Sequence, residues 1–79
     1  MTIELTWFSV LRERVGKDQE AVEFEGGTAR DLYARLDALH GFDLPIRNLR
    51  VAVNDTFAEW DIALSDRDRV VYIAPAGGG

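Results

Sequence analysis

The sequence predicts an α+β domain of the β-grasp type, in which one main helix covers one face of a mixed sheet of four to five strands. Apolar and polar residues alternate near both ends of the chain, as in strands that bury one face. Between these segments, apolar residues recur with the spacing of one amphipathic helix. The 79 residues suffice for one compact core but not two. We therefore predict a single domain over residues 1–76, followed by a flexible Gly-Gly-Gly tail at 77–79.

The first part of the chain predicts two paired strands. Residues 2–7 alternate in polarity, which predicts a first strand that places Trp7 in the core. The alternation is lost over residues 10–15, and Gly16 follows, which indicates a helical turn or a compact connection. Residues 21–25 resume the strand pattern and predict a second strand, paired with the first.

The middle of the chain predicts the main helix, over residues 29–39. Thr28 is suited to cap its N-terminus, because a threonine hydroxyl can accept a hydrogen bond from a free backbone N–H. Asp31 lies near the positive end of the helix dipole, and Gly41 is placed to end the helix. The apolar face that we predict to enter the core consists of Leu32, Leu36 and Leu39, with Tyr33 beside them.

The remaining chain predicts three more strand segments. Residues 49–53 alternate in polarity and predict a third strand, with a turn at 54–55. Residues 56–64 have no clean period, and we interpret them as a short edge strand plus a loop. A polar turn at 65–68 precedes residues 69–74, which are rich in β-branched and aromatic side chains and predict a central last strand.

Composition argues against several classes of function. The sequence contains no cysteine, so it has no thiol nucleophile and no thiolate metal site. Its net charge of -5 disfavours nucleic acid and anionic lipid as partners. The N-terminus does not read as a secretory signal, and no apolar run approaches the roughly 20 residues of a membrane span, so we expect a cytoplasmic protein. His40 is the single histidine, near the predicted helix end, and we interpret it as structural rather than catalytic.

The chain ends in three glycines, Gly77, Gly78 and Gly79. Glycine loses much backbone entropy on ordering and gains no side-chain contact, so such an end adds almost nothing to stability. It is either a frayed terminus or a slender segment that can enter a narrow channel of another protein. In the second interpretation, the terminal carboxylate is the reacting group, and adenylation would make it susceptible to attack by sulfide.

Three further segments carry a family resemblance. Residues 8–16, 51–54 and 64–70, together with the Gly-Gly end, resemble in order and spacing the small subunits of molybdopterin synthase, within the MoaD/ThiS family of ubiquitin-like sulfur carriers. The resemblance covers nearly the whole chain. Arg67 stands where the family commonly has glycine, which predicts a different turn conformation. Gly77 gives a triple glycine that is also similar to the thiazole-synthesis carriers.

The resemblance implies a function in molybdenum cofactor biosynthesis. Gly79 would carry a thiocarboxylate, and Gly77 and Gly78 would thread into two partners in turn. One partner would be an adenylating enzyme of the ubiquitin-activating type, which uses ATP. The other would be the large subunit of molybdopterin synthase, which would hold the catalytic residues. This chain would then bind no cofactor and no metal, and would act as a sulfur donor without turnover of its own.

The docking face is inferred from position in the chain. Ile73 and Pro75 lie just before the tail and are expected to contact the partners, with Phe8 and Arg12 near them. Three alternatives stay open at this point: a sulfur carrier for thiamine thiazole or another sulfur-transfer pathway, a ubiquitin-like modifier that forms isopeptide bonds with lysines, and a plain binding module whose glycine end has no role.

Overall fold

The computed structural model describes residues 1–75. Five strands, two α-helices and one short 3₁₀ turn follow one another along the chain. In chain order they are β1 (Thr2–Thr6), α1 (Ser9–Val15), β2 (Gln19–Glu23), α2 (Ala29–His40), the 3₁₀ turn (Ile46–Asn48), β3 (Arg50–Val53), β4 (Thr56–Ala58) and β5 (Arg69–Ile73). None of the helices within residues 1–75 is long and apolar enough to span a bilayer.

The strands form one mixed sheet in the order β2-β1-β5-β3-β4. The central strand β5 runs parallel to its neighbour β1, and the other neighbouring pairs are antiparallel. This is the predicted β-grasp architecture, with the last strand in the centre and β4 at an edge. Several bounds differ from the predicted ranges by one or two residues. The largest difference is in β2, which spans Gln19–Glu23 rather than 21–25, because Gln19 pairs with Thr6 at the far end of β1.

Helix α2 begins and ends at the predicted signals. The Thr28 hydroxyl accepts from the Asp31 backbone N–H at 3.1 Å, and the Asp31 carboxylate accepts from the Thr28 backbone N–H at 2.9 Å. This reciprocal pair is a capping box. The bond from the Thr28 N–H, and then the Thr28 hydroxyl, lower the pKa of Asp31 below its ordinary value. Gly41 ends the helix in the left-handed conformation, with φ of 66°.

Two tight turns hold β5 in its central place. Asn54 and Asp55 both have positive φ, as a two-residue hairpin between β3 and β4 requires. Arg67 has φ of 70°, a left-handed conformation that glycine adopts most easily. The Asp68 carboxylate accepts from Ser65 N–H at 2.8 Å and from the Asn54 side-chain amide at 2.9 Å. These bonds join the two turns.

The core lies between α2 and one face of the sheet. Trp7 is 1% exposed, as predicted, and its ring packs against Tyr72 and Phe42. Tyr72 donates its hydroxyl to the Ala29 carbonyl, and Tyr33 donates to the Leu44 carbonyl. Burial raises the pKa of both phenols, that of Tyr33 to about 12, so the neutral hydroxyls remain donors.

The predicted core face of α2 is correct at Leu32 and Leu36 and wrong at Leu39, which is 74% exposed. The reason is the position of the buried arc. The buried residues of α2 are Ala29, Leu32, Tyr33 and Leu36, so the centre of the buried side of the helix lies close to Leu36. At about 100° per residue, Leu39 then falls about 70° from that centre and faces solvent beside β2.

This difference gives a matched test of the packing. We expect Leu36→Ala to lower the free energy of unfolding by about 2–5 kcal/mol, because it leaves a cavity in the core. Leu39→Ala should change it by less than about 0.5 kcal/mol, since the side chain is solvated. Urea unfolding of the two variants measures both values. Equal destabilisation by the two substitutions would contradict the described burial.

Candidate functional site

The candidate site lies at the end of the sheet from which the chain runs on toward its C-terminus. β1 and β5 are parallel neighbours, with Thr6 opposite Val71. Phe8 and Ile73 each follow that pair by two residues, so both lie at the same end of the sheet. The structure thus brings together two of the predicted docking residues, which are 65 positions apart in sequence (73 minus 8).

Phe8 occupies a position that neither packing nor capping explains. It precedes α1 as the N-cap residue, where Ser, Thr, Asp or Asn is favoured, and it makes no side-chain capping bond. Its side chain is 54% exposed. An exposed aromatic side chain at a poor capping position costs stability, so Phe8 is a candidate contact residue.

Arg12 lies one helical turn beyond Phe8, in α1. Its guanidinium is 3.6 Å from the Asp18 carboxylate, and both side chains are exposed. An exposed pair of this kind contributes little to stability. Arg12 therefore remains able to contact an acidic group of a partner at the rim of the site.

The sheet face away from α2 extends the site sideways. Thr6, Val71, Ala52 and Phe57 lie opposite one another in a single row across four strands. Phe57 is 59% exposed, and Val71 and Ala52 are only partly buried. This row is called the outer-face row below. It was not predicted as part of the site.

A charged residue covers one end of the outer-face row. Arg50 lies opposite Ile73 on the adjacent strand, and its guanidinium carbon is 4.5 Å from the centre of the Phe57 ring. This cation–π contact holds an arginine over apolar surface. Arg50 and Arg12 thus flank the apolar part of the site, within a protein of net charge -5. A partner surface that is apolar in its centre and acidic at its rim fits this arrangement.

Sequence signals for the missed residues do exist. The Asn54-Asp55 pair is typical of a two-residue hairpin, and such a hairpin places Ala52 opposite Phe57. In β5, residues 70–73 are apolar on both faces, which indicates a strand that is covered on both sides. Together these two signals indicate the pair of Ala52 with Phe57 and an apolar outer face of β5, whereas the pairing of β3 with β5 that joins them in one row is decided by the tertiary structure.

The described residues present no catalytic constellation. No group of three or more His, Asp or Glu side chains within residues 1–75 is arranged to hold a metal ion. The His40 ring stacks on Phe42 at 5.4 Å, which supports the structural interpretation of that histidine. Asp66 accepts from the Thr2 backbone N–H at 2.6 Å and serves the turn.

Pro75 is exposed and is the last residue that the structure describes. The predicted reacting residue, Gly79, and the threading residues Gly77 and Gly78 lie outside the described residues. Their roles remain predictions. The described chain ends two residues after Ile73, beside the surface around Phe8 and Ile73, which is called the contact surface below.

Comparison with protein families shows one match, in which the model of the ThiS family covers residues 5–79. No curated protein sequence matches the chain significantly. Among solved structures, SAMP1 from Haloferax volcanii is 22% identical, with a TM-score of 0.81 over the full length of both chains.

Two further solved structures bear on the interpretation. A protein assigned as molybdopterin converting factor subunit 1 from Pyrococcus furiosus is 25% identical, with a TM-score of 0.78, and the match covers 95% of this chain and 98% of that one. A chain of the complex of subunits 1 and 2 of the molybdopterin-converting factor from Helicobacter pylori is 20% identical, with a TM-score of 0.68 and full coverage of both chains. At these identities, the common feature is the ubiquitin-like β-grasp fold.

Proposed function

This chain belongs to the ThiS family, and we propose that it is the sulfur-carrying small subunit of a cytoplasmic molybdopterin synthase, with the Gly79 carboxylate as its reacting group. The observation that carries the proposal is the extent of the family match, which continues through the three terminal glycines to Gly79. A frayed end without function would not be expected to belong to the family pattern. The contact surface at the sheet end from which these residues continue supports the same conclusion.

Charging the chain requires two steps at the terminal carbon. A carboxylate oxygen attacks the α-phosphorus of ATP in an adenylating partner, and pyrophosphate leaves. Sulfide, supplied by a sulfur donor, then attacks the acyl carbon, and AMP leaves. The resulting thiocarboxylate is a sulfur nucleophile in a chain that contains no cysteine.

Discharging the chain returns it to its starting state. The thiocarboxylate sulfur attacks a carbon of the pterin precursor within the large subunit and displaces an oxygen substituent there, which gives a thioester between Gly79 and the pterin. Water then attacks the acyl carbon, the bond between that carbon and sulfur breaks, and the sulfur stays on the pterin as a thiolate. The carboxylate is regenerated. Residues 74–79 span at most about 20 Å when extended, so a partner that receives Gly79 must contact this end of the sheet. Both partners therefore need the surface around Phe8 and Ile73, and they bind one after the other.

The intact mass of the protein tests the proposal. Protein isolated from cells that make the cofactor should include a form heavier by one exchange of oxygen for sulfur. Treatment with the purified large subunit and the pterin precursor should return this form to the unmodified mass. Failure to observe it, when a known carrier isolated in parallel is charged, would refute the proposal.

A ubiquitin-like modifier is the second candidate, because the solved structures of similar fold include SAMP1, a small archaeal modifier protein. The same activated carboxylate would then form isopeptide bonds with lysines of target proteins. Conjugates of higher mass that contain this chain and survive reduction would support that function. The thiazole pathway would instead be indicated by a charged form that the pterin precursor fails to discharge.

A substitution at Phe8 should change the affinity for the large subunit without lowering the stability of the fold. We expect Phe8→Ser to weaken binding to the large subunit about 10- to 100-fold, because an exposed aromatic anchor is removed from the interface. The same change should leave stability unaltered or raise it by up to about 1 kcal/mol, since serine is a better N-cap residue. Isothermal titration and thermal melting measure the two quantities.

The matched control is Leu39→Ser, which removes another exposed large apolar side chain, on α2 beside Val22 and Glu23 of β2. Its affinity for the large subunit should equal that of the unaltered chain. If Phe8→Ser binds normally, or if Leu39→Ser weakens binding as much, the partner docks elsewhere.

A further inference from the structure

Lys17 is the one lysine in the sequence, and the other eight basic residues are arginines. An arginine guanidinium remains protonated in proteins and is not a nucleophile, whereas a lysine amine attacks activated acyl groups once it has lost its proton. In a chain without cysteine, Lys17 is therefore the only side chain of the amine or thiol class. Its position relative to the C-terminus decides which acyl group it can meet.

Lys17 lies at the same end of the sheet as the contact surface. It precedes β2, in which Gln19 pairs with Thr6, and Thr6 pairs in turn with Val71. The Trp7 N–H donates to the Asp18 carbonyl at 2.8 Å, which holds the chain against β1 right after Lys17. Since β2 runs antiparallel to β5, Lys17 and Ile73 both lie beyond this row on the same side. Two strand spacings, about 10 Å, separate them across the sheet.

The Lys17 side chain is accessible. It is 60% exposed, and within residues 1–75 its ammonium pairs with the Glu20 carboxylate at 3.6 Å. The Glu20 carboxylate also accepts from the Trp7 indole at 2.7 Å, so this acid is held in place beside the lysine. An exposed pair of this length does not immobilise a lysine.

The other amine of the chain lies at the opposite end. The Met1 ammonium donates to the Phe24 carbonyl at 2.9 Å, where β1 begins. Five residues of strand, or about 17 Å, separate that end from the end at Lys17. The arrangement thus favours one amine over the other for any acyl group that continues from β5.

We infer that Lys17 is an acceptor site for the chain's own activated C-terminus, where an intramolecular isopeptide bond closes residues 17–79 into a ring. The inference rests on the proposed function only in that Gly79 must be activated. The Lys17 nitrogen attacks the Gly79 acyl carbon, AMP leaves from the adenylate, and the ammonium proton passes to solvent. The product contains one water less than the free chain.

Reach and effective concentration support this reaction. Residues 74–79 extend at most about 20 Å from Ile73, and the span to Lys17 is about half of that. Tethered groups of this kind meet at effective concentrations in the millimolar range, about 100-fold above a protein solution at tens of micromolar. Ring closure therefore outruns attack by a second copy. A bound partner that covers the sheet end would prevent it, which leaves sulfide as the attacking nucleophile in the complex.

A thioester at Gly79, made by cleavage of an intein fusion of the full chain, tests the inference without an activating enzyme. In mildly alkaline buffer, the chain should yield a monomer lighter by one water than the hydrolysed chain, at a rate independent of protein concentration. Tryptic digestion should give a branched peptide that joins residues 15–30 to residues 70–79 through Lys17. The variant Lys17→Arg should reduce this product at least about tenfold and give the hydrolysed chain instead.

The double variant Lys17→Arg with Arg67→Lys is the matched control, because it moves the only lysine to the turn between β4 and β5, at the other end of β5. It should not cyclise. Cyclisation of the control at the rate of the unaltered chain, linkage through Met1, hydrolysis alone in the unaltered chain, or dimers as the main product would each overturn the inference. None of these outcomes bears on charging by sulfide in cells, which the intact mass of the isolated protein tests separately.

Discussion

Deletion of Gly79 is expected to abolish charging of the chain with sulfur. The deletion moves the terminal carboxylate back by one residue, about 3.5 Å, from the group that activates it. A misplacement of about 1 Å can already reduce a rate about 100-fold, so the heavier form should fall below detection. Intact-mass measurement of the variant and the unaltered chain, co-produced with the activating enzyme and a sulfur source, compares the two directly.

Two substitutions that keep the full length of the chain distinguish the effect of moving the carboxylate from the effect of adding a side chain near it. Gly78→Val adds a branched side chain next to the reacting residue and should also prevent charging, because a narrow channel admits only a chain without side chains. Gly77→Ser should be charged normally, because its side chain is small and lies one residue farther from the reacting group. All three variants should have the same melting temperature as the unaltered chain. Normal charging after deletion of Gly79 would show that the glycine end is not the reacting group.

Trp7→Ala should cause the largest loss of stability among single substitutions of the core. Trp7 is 1% exposed and packs against Phe42 and Tyr72, with ring centres 5.6 and 6.3 Å away. Its removal should lower the free energy of unfolding by about 3–5 kcal/mol, out of a total of about 5–15 kcal/mol for a domain. In a domain of this size, the melting temperature should fall by about 15 °C or more.

The controls for Trp7 separate its ring from its hydrogen bond. Trp7→Phe keeps most of the packing and loses the bond from the indole N–H to Glu20, so its loss of stability should be well below that of alanine. Phe57→Ala removes a ring that is 59% exposed and should cost less than about 1 kcal/mol. A melting temperature of Trp7→Ala within a few degrees of the unaltered chain would contradict the described core.

The elements that depend on local patterns were predicted well. The capping signal at Thr28 and Asp31, the stop at Gly41 and the hairpin pair after β3 each act within a few residues. Their physical cause lies in the hydrogen bonds and backbone freedom of the residues concerned. The chemistry of the tail was predicted from the lack of side chains at the end of the chain and from the family resemblance. The match to the ThiS family supports the resemblance.

The sequence by itself therefore determined the elements, their order, the capped helix and the family. Tertiary structure alone decided that Leu39 faces solvent, that Phe57 lies in one row with Val71, and that Lys17 shares an end of the sheet with Ile73. The reason is the range of the forces involved. Local propensities act over a few residues, whereas the side of a sheet and the neighbours along a row depend on how distant strands pair and on which side chains compete for one core.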